Sequence, residues 1–296
     1  MKEKPFSKYQ ILANAVMIIW TLAIILPFIL LFMSSITDEN TLVANGYSFF
    51  PKKFSLASYS YIIKSGGQIL KAYGVSIGVT VVGTLLNVLL SALMAYPLSV
   101  KNLPGRNVMM FFVFFTMLFN GGIVPSYIMW TGTFHIKDTI FAQLLPNFLL
   151  SAWNVMMIRT YFTTSIPDGL YEAAEIDGAS QFTIFWKIVL PLGKPILVTM
   201  GTFAGLAYWN DWTNGLYYIV KNTGLYNVQN LLNQMVQNIQ FLTQSSNSNV
   251  TAAASTIPAT GIQMAIAFVA ILPIMLIFPS FQIYHAKGIA LGAVKG

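Results

Sequence analysis

The sequence predicts an all-α integral membrane protein with six transmembrane helices, and three observations carry that reading. Of its 296 residues 56% are hydrophobic and only 8% charged, with a mean hydropathy of +0.66; a soluble domain carries about 25% charged residues. The apolar residues are gathered into runs of roughly the 20 residues that cross a hydrocarbon layer. Polar connections with turn-forming Gly, Pro and Asn separate those runs. The net charge of +7 does not point to nucleic acid, because no cluster of Lys or Arg with interleaved aromatics occurs. The absence of cysteine excludes disulfides, thiolate metal sites and cysteine nucleophiles.

Taken in order, a short tail, 1–10, carries Lys2, Lys4 and Lys8 ahead of the first span, 11–33. That run is too long for a signal-peptide core, and no small-x-small cleavage site follows it before Thr37-Asp38-Glu39. The second span, 72–100, is rich in Gly74, Ser76, Gly78, Gly83, Ser91 and Ala92, small residues that let membrane helices approach closely. The third, 107–130, is interrupted near its far end by Asn120-Gly121-Gly122 and Pro125; such a break is tolerated only where protein or a water-filled cavity covers the freed backbone. The fourth, 139–162, contains Pro146 and ends near Arg159. The fifth covers 192–220 and the sixth 261–284, leaving a tail, 285–296. Six spans place both termini on one face. That face carries ten of the sixteen Lys and Arg residues, so the positive-inside rule makes the termini cytoplasmic.

Two segments lie outside the spans. The external one, 221–258, contains Val228, Leu231, Leu232, Met235 and Ile239 at helical spacing, which predicts a short amphipathic helix followed by a loop. The cytoplasmic one, 163–191, reads as two short helices. Pro167 suits a first helical position and Asp168 the positive helix start. Leu170, Ala173, Ala174 and Asp177 then fall on one face of small residues, open to a partner. Gly178 ends the first helix. Ser180 caps a second, on which Phe182, Phe185, Trp186 and Val189 form one apolar stripe, and Pro191 and Pro195 end this piece.

No catalytic group emerges. The phosphate-binding pattern G-x-x-x-x-G-K-[ST] is missing, and Gly66-Gly67 with Lys71 lacks its spacing. His135 and His285 stand singly on opposite faces, so no metal site is expected. Glu172 and Asp177 read as partner-facing charges rather than a general acid and base. A transport pathway, by contrast, has a candidate in Tyr208 to Asn214, a polar stretch inside an apolar run. Trp209 lies eighteen residues past Pro191, about 27 Å along a helix and so in the outer half of the membrane. Aromatic faces beside amides suit sugars, whose C–H faces stack on rings while their hydroxyls take hydrogen bonds. Trp209, Asn210, Asp211 and Trp212 are the candidates, with Asn154 and Tyr127 as further members. An aromatic belt at the outer interface is the rival reading. An ion-gradient-driven secondary transporter of a small polar solute is the alternative function; it calls for repeated halves and buried acids, and only Asp211 is a clear in-span acid.

Glu172-Ala173-Ala174, three residues, Gly178, nine residues, then Ile188-Val189-Leu190-Pro191 resembles the EAA loop in the membrane subunits of bacterial ABC importers. The resemblance implies a type I importer permease fold in which this loop is the coupling helix, docking on a separate ATP-binding subunit. It carries that role onto Glu172, Ala173, Ala174, Asp177, Gly178 and Phe182. The runs Phe119 to Pro125, Trp153 to Arg159, Trp209 to Trp212 and Lys287 to Gly296 are similar to the carbohydrate-uptake branch, which implies an oligosaccharide as substrate. Further implications are a second, different permease chain, two ATP-binding subunits that hold ATP and Mg, and an external solute-binding lipoprotein facing 221–258. No cofactor is implied for this chain, and the place implied is a bacterial cell membrane.

Overall fold

The computed structural model describes residues 8–64, 66–244 and 260–276. The end of the expected sixth span, His285, the Lys287 to Gly296 motif, Lys2 and Lys4, and the last part of the expected external loop, 245–258, lie outside the described residues. Among the described residues the secondary structure is helical apart from a single β-bridge between Thr37 and Phe54. The chain divides into two compact units, one from Met1–Ile69 with Leu232–Pro273, the other from Leu70–Leu231 with Ile274–Gly296.

In the first unit, α1 (Lys8–Ser35) and the start of α4 (Gly66–Ser99) bracket two short helices, α2 (Glu39–Asn45) and α3 (Ala57–Lys64). The side chains of α1 are exposed along nearly its whole length, with Ser34 and Ser35 the buried pair at its end. An apolar helix bare on all sides belongs in lipid. The start of the helix Thr260–Leu276 packs Ile262, Ala265 and Ile266 on Ile62, Tyr59 and Ile69. Glu39 fixes that start: its Oε1 accepts from Thr260 N–H and its Oε2 from Gly261 N–H, both at 2.9 Å. A carboxylate there satisfies two orphan donors and complements the helix dipole.

In the second unit the long helix α4 is the central support. Its buried positions Ser76, Val79, Gly83, Asn87 and Ser91 recur at helical spacing, so one narrow face accepts close neighbours. Against it lies α11 (Lys194–Asn210). Gly205 would place a Cβ 3.3 Å from Thr84 Oγ1, and Gly83 would place one 2.6 Å from Tyr208 Cε2. At its other end α4 stops in a basic turn where Leu98 O accepts from Arg106 Nε at 2.8 Å and Arg159 Nε at 3.2 Å, two cations on an orphan helix-end carbonyl.

Several expected spans are not single helices. The third is α5 (Arg106–Leu118) and α6 (Ile123–Ile128), which runs on as a wide turn through Thr133 and is bent by 111° from α5. The break falls at Asn120-Gly121-Gly122, where Asn120 Oδ1 accepts from Gly122 N–H and Gly122 has φ +87. The fourth is α7 (Phe141–Leu144) and α8 (Ala152–Ser165); Pro146 lies between them and Asn147 sits at φ +67, which no α-helix continues through. The fifth starts at Lys194 rather than 192, stops at Asn210 and resumes as α12 (Thr213–Tyr218). The second begins earlier than expected, at Gly66. Among the described residues two helices, α1 and α4, are each long and apolar enough to cross a membrane, or up to four spans if each bent pair is one.

Candidate functional site

The segment after α8 builds a compact helical hairpin. Pro167 is extended, at φ −64 and ψ 137, so the helix α9 (Asp168–Ile176) starts one residue later than expected. Its end is closed by two backbone bonds, Gly178 N–H to Glu175 O at 3.0 Å and Ala179 N–H to Ala174 O at 2.9 Å, with Gly178 at φ +76. That pair is the Schellman arrangement, which requires a left-handed residue and hence favours glycine. Ser180 then caps the next helix, its Oγ accepting from Thr183 N–H at 3.2 Å. This helix, α10, runs from Gln181 to Leu192 through a wide turn at Phe185–Val189. Pro191 therefore does not end the piece. The wide turn before it accommodates a residue without an N–H, and the chain instead bends by 78° at Gly193 into α11. Gly193 leaves no room for a side chain, since a Cβ would stand 2.5 Å from Phe162 Cε1.

Burial divides this hairpin into an inner and an outer face. Ala174, Ile184, Phe185 and Val189 pack inward with Ala92, Ala95, Tyr96, Ile158 and Phe162. Glu172, Ala173, Asp177, Gly178 and Phe182 are exposed, and so are Leu170, Ile176 and Trp186. The expected face of Leu170, Ala173, Ala174 and Asp177 is thus split, with Ala174 turned to its own chain. The expected stripe on α10 is split too: Phe185 and Val189 face in, while Phe182 and Trp186 face out with their rings 5.9 Å apart. What remains open is an apolar rim, Ile176 at 86% and Phe182 at 68% exposure, on either side of a glycine turn.

The second candidate lies at the break between α11 and α12. Asp211 is buried, and its Oδ1 accepts from Thr213 N–H at 2.9 Å, Thr213 Oγ1 at 2.7 Å and Asn214 N–H at 3.3 Å. A carboxylate so placed caps the new helix. Its Oδ2 is buried without a hydrogen bond. Backbone carbonyls freed by the break are met by amide side chains, as a water-poor setting demands. Asn227 Nδ2 donates to Asp211 O at 2.6 Å, Asn230 Nδ2 to Trp212 O, and Asn214 Nδ2 to Pro146 O at 3.1 Å. Asn230 reaches that point because Gly215 has no side chain in its way. Gln143 joins the network by donating from Nε2 to Asn230 Oδ1 at 3.4 Å and also to Leu225 O at 3.2 Å, and Asn147 by donating to Asn214 Oδ1 at 3.2 Å.

Of the six residues singled out for a pathway, Trp209, Asn210, Asp211 and Trp212 therefore meet at this break, with Asn210 and Trp212 exposed and Trp209 and Asp211 buried. The other two are placed elsewhere. Asn154 is buried and donates to Asn87 Oδ1 at 2.7 Å, while Asn87 donates to Phe148 O at 2.6 Å. Tyr127 stacks on Tyr218 with ring centroids 5.8 Å apart, and Lys137 Nζ lies 3.3 Å from its hydroxyl. Beside them Asp138 Oδ1 accepts the backbone N–H groups of Val220 and Lys221 at 2.7 Å and of Asn222 at 3.2 Å. The N–H groups of Lys221 and Val220, in that order, hold its carboxyl below the usual carboxylate range. Sequence reasoning missed Asp138 and the Gln143, Asn227 and Asn230 amides. Gln143 in an apolar run is itself a signal, since such a group requires a buried partner.

Apolar helices broken at buried polar networks, with a capped hairpin between two of them, fit the class of membrane permeases. Residues 74–290 match the family described as binding-protein-dependent transport system inner membrane component, and the chain belongs to it. It is 36% identical over 272 residues to Protein LplC of Bacillus subtilis, covering 92% of this chain and 90% of that one. It is 35% identical over 288 residues to the polygalacturonan/rhamnogalacturonan transport system permease protein YtcP of the same organism, covering 97% and 98%. Among solved structures it is similar to a bacterial ABC transporter involved in the import of the acidic polysaccharide alginate, with a TM-score of 0.78, 25% identity, and coverage of 95% of this chain and 99% of that one. The protein is thus a membrane permease of binding-protein-dependent ABC import.

Proposed function

We propose that this permease imports carbohydrate, an oligosaccharide fragment, by ATP-driven alternating access. The observation that carries the coupling half of the reading is the α9–α10 hairpin: two helices fixed by a Schellman turn and a serine cap, with Ile176, Phe182 and Trp186 left exposed around Gly178. Such a rigid apolar rim fits docking on a separate ATP-binding subunit, which holds ATP and Mg, and we assign to it Glu172, Ala173, Asp177, Gly178 and Phe182, with Ala174 fastening the helix from behind. The names of two relatives, for polygalacturonan/rhamnogalacturonan and for alginate, support a carbohydrate substrate.

In this reading the chain makes six spans with both termini cytoplasmic and 221–258 outside. It works with a second permease, two ATP-binding subunits and an external binding lipoprotein. ATP binding draws the hairpin inward and opens the spans outward; the binding protein delivers the sugar; hydrolysis resets the assembly. Asn210 and Trp212, exposed at the helix break, are the pathway residues best placed to meet it. An ion-driven transporter would have no use for the hairpin.

The test is Gly178→Asp in the assembled importer in proteoliposomes with its binding protein. A Cβ there meets open space but sits at φ +76, so the variant both strains the turn and projects a carboxylate onto the docking rim. We expect ATP-dependent uptake of labelled pectic oligosaccharide to fall at least about tenfold while the chain stays in the membrane; the added charge on an apolar contact is worth several kcal/mol. Full uptake by the variant sinks the coupling assignment, and no uptake of any oligosaccharide by the native assembly sinks the substrate class.

A further inference from the structure

We propose that Tyr96 is the positioning residue that ties the docking hairpin to α4, so that the two hairpin helices and the end of α4 move as one body. This rests on the docking role proposed above. Tyr96 lies three residues before the end of α4 and is 8% exposed. Its hydroxyl donates to Gln181 Oε1 at 2.5 Å, and Gln181 Nε2 donates in turn to Glu175 Oε1 at 2.8 Å. The same ring lies 5.4 Å from that of Phe185 and 6.4 Å from that of Tyr171, the latter at 26°. One side chain of α4 therefore touches α9 through Tyr171, touches α10 through Phe185, and through Gln181 joins both.

Another polar attachment of the hairpin near this end of α4 is of a different kind. Lys101 pairs with Asp168 at 2.5 Å, but both side chains are more than half exposed, where an ion pair in water holds little. Apolar packing around Ala174 and Ile184 resists separation yet permits sliding. A phenol bonded end-on to a carboxamide resists sliding as well, because hydrogen bonds weaken steeply off their axis. Gln181 is exposed although both ends of its amide are engaged; an exposed glutamine held at both ends acts as a strut.

The experiment uses the assembled importer in proteoliposomes with its binding protein and compares wild type, Tyr96→Phe, Gln181→Met and the double variant. Tyr96→Phe keeps the ring contacts and removes only the hydroxyl. Two quantities are read: retention of the ATP-binding subunit on purification, and solute imported per ATP hydrolysed. We expect normal retention in Tyr96→Phe, a fall of at least about threefold in solute per ATP, and a double variant no worse than the poorer single one, since both remove the same bond. A wild-type ratio in Tyr96→Phe, losses that add in the double variant, or lost retention in place of a lower ratio would each overturn the proposal. If the wild-type chain fails to retain an ATP-binding subunit, the docking role itself falls, which separates the two failures.

Discussion

Replacing Gly83 by alanine tests the close approach of α4 and α11. A Cβ at position 83 would stand 2.6 Å from Tyr208 Cε2 and 2.7 Å from Cε1, well inside van der Waals contact. Tyr208 is only 1% exposed, and its hydroxyl donates to Leu144 O at 2.9 Å, so the ring cannot withdraw without breaking that bond. Overpacking of this kind costs about 1–3 kcal/mol, and the lost hydrogen bond adds about 1 kcal/mol. At roughly 2–4 °C per kcal/mol, the midpoint of thermal unfolding should fall by roughly 4–16 °C. The assay is thermal unfolding of the purified importer in detergent, followed by the loss of its monodisperse chromatographic peak. In a Tyr208→Ala background the same Gly83→Ala change should cost much less, because the space the methyl needs is vacated. A Gly83→Ala protein that melts with the wild type would refute the packing argument, and an equal cost in both backgrounds would refute its cause.

Two further outcomes follow from the polar pairs. Asp138 has a lowered carboxyl pKa in the folded chain, so its contribution is present above the ordinary carboxylate value and is lost as pH falls through the folded one. Protection of the Val220, Lys221 and Asn222 amides, taken relative to their intrinsic exchange rates, should therefore fall on acidification below about pH 4, whereas in Asp138→Asn it should be low at neutral pH and flat through that window; identical profiles in the two proteins would contradict this. Asn154→Leu leaves Asn87 Oδ1 without its donor and should destabilise by about 1–3 kcal/mol, read as a lowered unfolding midpoint, while an unchanged midpoint would show that the pair carries no weight.

The local features of this chain were legible where one residue type has one mechanical use. Gly178 with Ser180 two residues on marks a helix end and a helix start, and the structure realises both with φ +76 and a 3.2 Å cap bond. Asn120-Gly121-Gly122 marks a break in an apolar run, and the chain bends there. What could not be read is which side of a short helix faces home. Ala173 and Ala174 are identical in chemistry, yet only Ala174 is buried, because Tyr96 and Phe185, 78 and 11 residues away along the chain, decide where α9 rests. Asn154 reads as a pathway amide until its partner Asn87, 67 residues earlier, is seen. Asp211 reads as an in-span acid until the backbone stops beside it and turns its carboxylate into a cap. Long-range pairing leaves no periodicity in the sequence to find.

The bend at Gly193 sets the direction in which a push can travel. With α10 and α11 inclined at 78°, a thrust along the α10 axis resolves to only about a fifth of its length along α11, the cosine of that angle, and nearly all of it sideways. Phe162, packed against Gly193 where any side chain would collide, sits at the corner as a fulcrum. In the docking role proposed above, a load applied to the hairpin would swing α11 sideways like the long arm of a crank rather than drive it lengthwise as a piston, and the stretch at Asn210 to Trp212, at the far end of that arm, would sweep the widest arc.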